Sequence, residues 1–167
     1  MTDKFRVVPL ADMHDRMAFS CGIPALDRYF HQQVSQDMRR RVTSCFVALT
    51  AQGNIVGYYT LASTSVVLSD LPAALAKKLP RYPLVPAVRM GRLAVSTAHR
   101  GTGLGAALLA NALQRASRAE IAAYALVVDA KDARAAAFYA HHGLLALPDA
   151  VLTLVMPLAS VAALVKA

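Results

Sequence analysis

The chain has 167 residues, a formal net charge of +8 and a hydrophobic fraction of 56%. This length suits one domain with a real core, and the apolar runs are too short for a transmembrane helix. Two cysteines exclude a disulfide framework. We therefore expect one domain, residues 1–167, that does not enter a membrane. Because charged residues occupy the place of a signal peptide's apolar region, we also expect the protein to be cytoplasmic.

Metal binding is not expected from the cysteines and histidines. Cys21 and Cys45 lack the close spacing of metal ligands, and both are typical of small core residues. His141 and His142 are adjacent, so on a helix they would point about 100° apart.

The first half of the chain predicts a strand, a long helix and a hairpin. Phe5–Leu10 is typical of a short strand, and Ile23–Arg41 of a helix that ends in three arginines, which suits the negative end of the helix dipole. Two apolar runs around Gln52-Gly53-Asn54 then predict a β-hairpin. The helix carries apolar residues four apart, at Leu26, Phe30, Val34 and Met38.

The rest of the chain predicts three more strands, three helices and a short helical tail. A short helix over Asp70–Lys78 precedes a proline-punctuated basic loop, KKLPRYPLVP, and a strand that ends near Val95. A helix to about Ala119, the strand ALVVDA, a helix stopped by Gly143, the strand VLTLVMP and a helical tail follow. The order predicts an α/β (α+β) protein with a mostly antiparallel mixed sheet of about six or seven strands, flanked by about four helices.

The segment HRGTGLGAALLANALQRA places three glycines in five residues at the N-terminus of a predicted helix. A Walker A loop would need Lys and Ser or Thr after its last glycine, where Ala106 and Ala107 stand. The spacing does satisfy a dinucleotide fingerprint, and Asp129 ends the next strand. However, five residues separate the glycines from the preceding strand, and too few residues follow to complete a doubly wound sheet.

A third phosphate-binding device, Arg/Gln-x-x-Gly-x-Gly/Ala opening a helix, matches at every fixed position. Backbone N–H groups at a helix N-terminus favour anions, and glycines allow a pyrophosphate to approach. In this motif the sequence resembles the GNAT acyltransferases, which bind acetyl-CoA. The resemblance implies a GNAT fold and a cofactor site formed by Leu93, Ala94, Val95, Arg100, Gly101, Thr102, Gly103, Leu104, Gly105, Ala106, Asp129 and Phe138.

The resemblance also implies a catalytic tyrosine. Phe138-Tyr139 precedes Gly143 in the family's F-Y-x-x-x-G-F context, with Leu144 in place of the last aromatic residue. Tyr139 would protonate the departing thiolate, since a phenol's ordinary pKa of about 10 is close to a thiol's of about 8.5. The alternative is that Tyr139 only packs beside Phe138.

The shortage of carboxylates indicates what kind of amine accepts the acetyl group. Glu120 is the only glutamate, and the strand Val85–Val95 contains no acid. A lysine amine, with a pKa of about 10.4, is rarely neutral at physiological pH, whereas an α-amine, at about 7.7–8.0, often is. An enzyme without a dedicated base should therefore prefer a weakly basic amine. The basic middle of the chain also indicates a polyanionic partner or an anionic cofactor. An aminoacyl-tRNA satisfies both conditions.

Independently, the chain is similar over nearly its full length to one GNAT branch, the TacT-like toxins of bacterial toxin–antitoxin pairs. The similarity is carried by Cys21-Gly22, Leu26–Tyr29, Gln32-Gln33, Gly57–Leu61, Pro80–Pro83, Gly91–Val95, Val128–Lys131 and Phe138-Tyr139. It implies acetylation of the amino group of aminoacyl-tRNA, translation block and growth arrest. It further implies a cognate ribbon-helix-helix antitoxin, repression of the operon through operator DNA, and a homodimer.

Under this hypothesis, some of the basic residues bind RNA. The candidates are Lys77, Lys78, Arg81, Arg89 and Arg92 for the acceptor stem, and Arg39, Arg40 and Arg41 as a second patch. Each could instead be an ordinary solvated surface residue. Two other functions stay open: a GNAT enzyme acting on a small-molecule or protein amine, and an inactive GNAT fold used only for binding.

Overall fold

The computed structural model describes residues 4–161. The strands are β1 (Arg6–Pro9), β2 (Ser44–Leu49), β3 (Ile55–Val67), β4 (Leu84–Val95), β5 (Ala125–Asp129), β6 (Leu145–Leu147) and β7 (Ala150–Pro157). The α-helices are α1 (Pro24–Arg28), α2 (Val34–Arg39), α3 (Ala73–Ala76), α4 (Leu104–Ser117) and α5 (Ala133–His141). Leu158–Val161 is also helical, and the rest of the predicted tail lies outside the described residues.

The strands form one seven-stranded sheet in the order β1-β2-β3-β4-β5-β7-β6. The pairs β1–β2, β2–β3, β5–β7 and β6–β7 are antiparallel, and β4–β5 is parallel. The predicted mixed, mostly antiparallel sheet is confirmed. So is the hairpin, whose turn is closed by a bond from the Gly53 N–H to the Thr50 carbonyl.

Three local predictions were inexact. The strand β4 begins at Leu84, one residue before the predicted strand Val85–Val95 and inside the predicted basic loop. The short helix after Pro72 spans only Ala73–Ala76. The strand β6 was missed, because three residues between two turns have no pattern of their own and are ordered by pairing with β7.

The long first helix is interrupted by a π-helical turn at Tyr29–Gln33, between α1 and α2. An exact four-residue apolar repeat drifts around a helix of 3.6 residues per turn. A wider turn absorbs that drift. As a result Phe30 and Val34 are both fully buried, while Leu26 and Met38 pack against the same core.

The described chain divides into two compact units. The first contains residues 4–62 and Gly91–Ala112, and the second contains Ser63–Met90 and 113–161. In the first, aromatic rings pack between the helices and β2–β3. The Phe30 and Tyr58 rings stack with centroids 4.3 Å apart, and Phe19 meets both edge-on. In the second, Val127 and Val155 belong to a core with Leu71, Val85 and Leu147.

Helices α2 and α5 end in the same hydrogen-bonding motif. After α5, the Gly143 N–H donates to the Ala140 carbonyl and the Leu144 N–H to the Tyr139 carbonyl. This is a Schellman motif, and Gly143 at φ 97° confirms the predicted C-terminal glycine. After α2, Arg41 and Val42 make the equivalent bonds to Met38 and Asp37, so an arginine with φ 60° holds the glycine position.

Replacing this arginine should stabilise the protein. A residue other than glycine in the left-handed region destabilises the folded state by about 1–2 kcal/mol. Glycine removes this cost, but it also increases the conformational entropy of the unfolded chain, which cancels part of the gain. We expect Arg41→Gly to raise the free energy of unfolding by about 0.5–1 kcal/mol. Arg40→Gly is the matched control, because Arg40 has φ −77° and should lose stability. Urea unfolding of both variants measures this, and a loss for Arg41→Gly would contradict it.

Residues 4–161 contain neither a candidate membrane-spanning helix nor a candidate metal-binding cluster. None of the helices in that range has the length and apolar character that a bilayer crossing requires. Likewise, no three His, Cys, Asp or Glu side chains in that range are grouped so as to hold a metal ion.

Candidate active site

The glycine loop leads directly into α4, as predicted. Gly101 has φ 74° and Gly103 has φ 85°, conformations that side-chain-bearing residues rarely adopt. A Cβ built on either would meet no atom within 4 Å, so the space above both is open. The loop is therefore an accessible backbone surface at the start of a 14-residue helix, whose first N–H groups have no partners within the helix.

Arg100 makes a contact that the sequence did not predict. Its Nη2 donates to the carbonyl of Cys21 at 2.6 Å. Gly22, at φ 81°, makes room for it, because a Cβ there would lie 2.6 Å from the same Nη2. The Cys21 N–H in turn donates to the Asp27 carboxylate at 2.9 Å. The Arg100 guanidinium thus links the glycine loop to the segment before α1 through one hydrogen bond. Binding of a diphosphate by Arg100 stays a prediction.

A second glycine brings the helix close to the sheet. A Cβ on Gly57 would lie 2.8 Å from Leu108 Cδ1 and 3.1 Å from the Ala94 carbonyl oxygen. Only glycine at this point of β3 allows α4 and the end of β4 to approach so closely. The same helix bonds the strand through Asn111 Oδ1, which accepts from the Tyr59 hydroxyl.

The end of β4 is free of its parallel neighbour. The register between β4 and β5 covers Ala87–Met90, opposite Ala125–Val128. The predicted cofactor residues Leu93, Ala94 and Val95 lie beyond this register, and Ala94 is buried. Their backbone groups therefore have no bonds to β5, which is what binding of an extended amide-containing arm would require.

Tyr139 lies in the second unit and is 9% exposed. Burial raises the pKa of Tyr139 to about 12, above the ordinary phenol value of about 10. Within residues 4–161 its hydroxyl makes no hydrogen bond, while its ring meets Phe138 edge-on at 5.3 Å between centroids. The phenol therefore keeps its proton throughout the physiological range and is not committed to a structural partner.

Two residues that the sequence assigned to different ligands bond to each other. Arg89, a candidate for RNA, forms an ion pair with Asp129, a candidate for the cofactor. Thr153 also donates to Asp129, at 2.9 Å. A carboxylate therefore does lie beside the acid-free strand Val85–Val95, contributed by β5. This carboxylate is already paired with Arg89 and accepts a hydrogen bond from Thr153.

Arg92 is engaged within the first unit. Its Cζ lies 3.3 Å from the centroid of the Tyr29 ring, a cation–π contact. The Tyr29 hydroxyl donates to Asp37 at 2.8 Å. Burial and this hydrogen bond raise the pKa of Tyr29, while the same bond lowers the pKa of Asp37. The guanidinium of Arg92 is thus held in one orientation before any ligand arrives.

The remaining basic candidates are exposed and belong to two separate segments. Arg39 is the last residue of α2, and Arg40 and Arg41 follow it in the first unit. Lys77, Lys78 and Arg81 follow α3 in the second unit. Among residues 4–161, none of these six forms an ion pair. Their charges are therefore available to a polyanion.

Within the first unit, a helix N-terminus opened by glycines and the free end of β4 provide the backbone groups that the sequence predicts for binding acetyl-CoA. The sequence profile of the acetyltransferase (GNAT) family matches residues 10–144. The chain belongs to this family, and the predicted GNAT fold is confirmed.

Three individual relatives are similar to most of the chain. The chain is 36% identical over 134 residues to a tRNA-acetylating toxin of Mycobacterium tuberculosis, and the match covers 79% of each protein. The structure of AtaT complexed with acetyl-methionyl-tRNAfMet superposes with a TM-score of 0.88 at 28% identity, covering 97% of this chain and 99% of that one. AtaTR bound with acetyl-CoA gives a TM-score of 0.83 at 26% identity, covering 98% of both chains.

Proposed function

We propose that the protein is an acetyl-CoA-dependent N-acetyltransferase toxin that acetylates the α-amino group of aminoacyl-tRNA and thereby blocks translation. The observation that carries this proposal is the open glycine loop at the start of α4, together with unpaired exposed cations in the same chain. The relatives support the substrate, because one is a tRNA-acetylating toxin and another holds an acetylated methionyl-tRNA.

The loop residues fit acetyl-CoA. Gly101 and Gly103 leave open the space that a Cβ would fill, and the adjoining α4 N-terminus favours a diphosphate. The other predicted contacts, Thr102, Leu104, Gly105 and Ala106, lie in the same loop or the first turn. The backbone of Leu93–Val95 would bond the pantetheine arm. When bound, acetyl-CoA supplies an activated acetyl group as a thioester.

Tyr139 would hold a proton for the departing thiolate. Its pKa of about 12 exceeds the ordinary thiol value of about 8.5. The same desolvation that raises the phenol's pKa would also raise that of a thiolate placed beside it, so the two remain comparable. Phe138 would pack along the cofactor. Asp129 stays a candidate for binding the cofactor, together with Arg89, with which it is paired.

The strand Val85–Val95 contains no carboxylate, and Asp129, which lies beside it on β5, is paired with Arg89. This supports an acceptor amine that is already neutral near pH 7, such as the α-amine of an aminoacyl ester. Lys77, Lys78, Arg81, Arg89 and Arg92, with Arg39, Arg40 and Arg41 as a second patch, would bind its RNA.

The remaining proposals come from the similarity to the toxin group. We propose one catalytic domain over residues 1–167, cytoplasmic action, a homodimer, and a cognate ribbon-helix-helix antitoxin. Through that antitoxin the protein would reach operator DNA and act as a repressor.

The test is acetylation of total charged tRNA with labelled acetyl-CoA, followed by identification of the labelled aminoacyl adenosine. If several phosphates are bound, log kcat/KM should fall with log salt by about 0.7–0.9 per phosphate. An amino-acid ester without RNA is the control and should show a flat response. A flat response for tRNA as well would instead favour a small-molecule acceptor.

A further inference from the structure

A small apolar surface lies exposed in the second unit, at the junction of β3 and β4. Val67 is 43%, Tyr82 69% and Leu84 56% exposed. The Leu68 N–H donates to the Pro83 carbonyl at 2.9 Å, and each exposed residue is the sequence neighbour of one of these two. They therefore lie close together, and we call them the Tyr82 patch.

The Tyr82 patch is bordered by cations. Lys77, Lys78 and Arg81 are exposed on the segment that leads to it. One exposed acid, Asp70, ends the turn that begins at Leu68, and no other acid follows it before Glu120. Three cations against one acid give this surface a net positive charge, which complements a polyanion.

The Tyr82 ring is unpartnered and held on a stiff segment. Among residues 4–161 it makes no ring contact and no hydrogen bond. Pro80 and Pro83 flank it within three residues, and a following proline restricts Tyr82 to extended backbone. A rigid aromatic ring beside free cations is the arrangement by which proteins stack unpaired bases while neutralising the backbone.

We propose that Tyr82 stacks on an unpaired nucleobase at the single-stranded 3′ end of the RNA acceptor, while Lys77, Lys78 and Arg81 contact its phosphates. This inference rests on the proposed function, since it names a binding site within the same substrate. It separates two roles: the cations contribute affinity for any RNA, and Tyr82 contributes affinity only where a base is unpaired.

The test compares two uncharged RNA hairpins with the same stem, one blunt and one with a short 3′ overhang, by fluorescence anisotropy at one salt concentration. We expect Tyr82→Ala to weaken binding of the overhang hairpin about 5- to 150-fold, the range for losing one stacked base, and to leave binding of the blunt hairpin unchanged. Tyr82→Phe keeps the ring and should bind both as the wild type does.

Two controls separate stacking from other effects. Ile121→Ala removes another exposed apolar side chain of the second unit, 87% exposed, and should change neither affinity. The double variant Lys77→Ala, Lys78→Ala should weaken the binding of both hairpins equally. Tyr82 is exposed, so thermal unfolding of Tyr82→Ala should match the wild type.

The acetylation assay distinguishes the two proposals. If the wild type acetylates charged tRNA but Tyr82→Ala binds both hairpins normally, the stacking site is overturned and the proposed function stands. If the wild type does not acetylate charged tRNA but Tyr82→Ala loses its overhang preference, the function fails and the stacking site stands. Loss of antitoxin binding alone would identify a protein surface and also overturn the stacking site.

Discussion

Tyr139→Phe should abolish acetylation while acetyl-CoA binds with unchanged affinity. The variant keeps the buried ring and its contact with Phe138, and removes only the hydroxyl, which has no hydrogen bond within residues 4–161. Loss of a general acid typically lowers kcat about 10²- to 10⁴-fold. The measurement is single-turnover acetylation of charged tRNA, beside calorimetric titration with acetyl-CoA.

The matched control is Tyr124→Phe. Tyr124 also lies in the second unit and burial raises its pKa as well, yet it packs against the Val127 core and has no proposed role. This variant should acetylate at the wild-type rate. Full activity in Tyr139→Phe would remove Tyr139 as the acid.

The pH dependence follows from the same group. With a pKa of about 12, Tyr139 stays protonated to about pH 10, so no alkaline decline from its ionisation should appear in kcat below that pH. The rate should instead rise as the acceptor's α-amine loses its proton, around pH 7.7–8.0 for an ordinary α-amine. A bell-shaped profile falling near pH 9 would contradict this assignment.

Gly103→Val should abolish acetyl-CoA binding at a modest cost in stability. Gly103 has φ 85° and an open space where a side chain would project, the space that we assign to the diphosphate. A branched side chain would fill it and also strain the turn, by about 1–2 kcal/mol. We expect the dissociation constant for acetyl-CoA, measured by calorimetry, to rise at least about 100-fold, the loss of two or more charge-assisted hydrogen bonds.

The chain offers an exact control for the strain. Gly53, in the β2–β3 hairpin, has the same φ of 85° and likewise no atom within 4 Å of a built Cβ. Gly53→Val should lose a similar amount of stability and keep its affinity for acetyl-CoA. If both variants lose affinity equally, the effect is on folding; if neither does, the loop does not hold the cofactor.

Features with a local cause were predictable. The hairpin at Gly53, the loop at Gly101 and Gly103 and the helix end at Gly143 all depend on positive φ, which glycine marks in a sequence. The apolar repeat likewise placed Phe30 and Val34 in the core. Of these elements, the loop at Gly101 and Gly103 carries the candidate cofactor site, and its backbone conformation could be predicted from the glycines.

Features that depend on distant partners were not predictable. The Arg100–Cys21 bond joins residues 79 apart, and the Arg89–Asp129 pair joins residues 40 apart. Arg41 adopts a conformation that its residue type disfavours. The burial that raises the pKa of Tyr139 is also a property of the folded chain, which composition does not reveal.

The bond between Arg100 and the Cys21 carbonyl sets a boundary for anyone shortening or tagging the protein. The glycine loop is held in part by a residue near the beginning of the chain, and Gly22 leaves room for that arrangement. Removing the leading segment through Cys21 would cut away a support of the nucleotide site, although none of those residues is proposed to contact a nucleotide. Fusions and deletions are therefore better placed elsewhere.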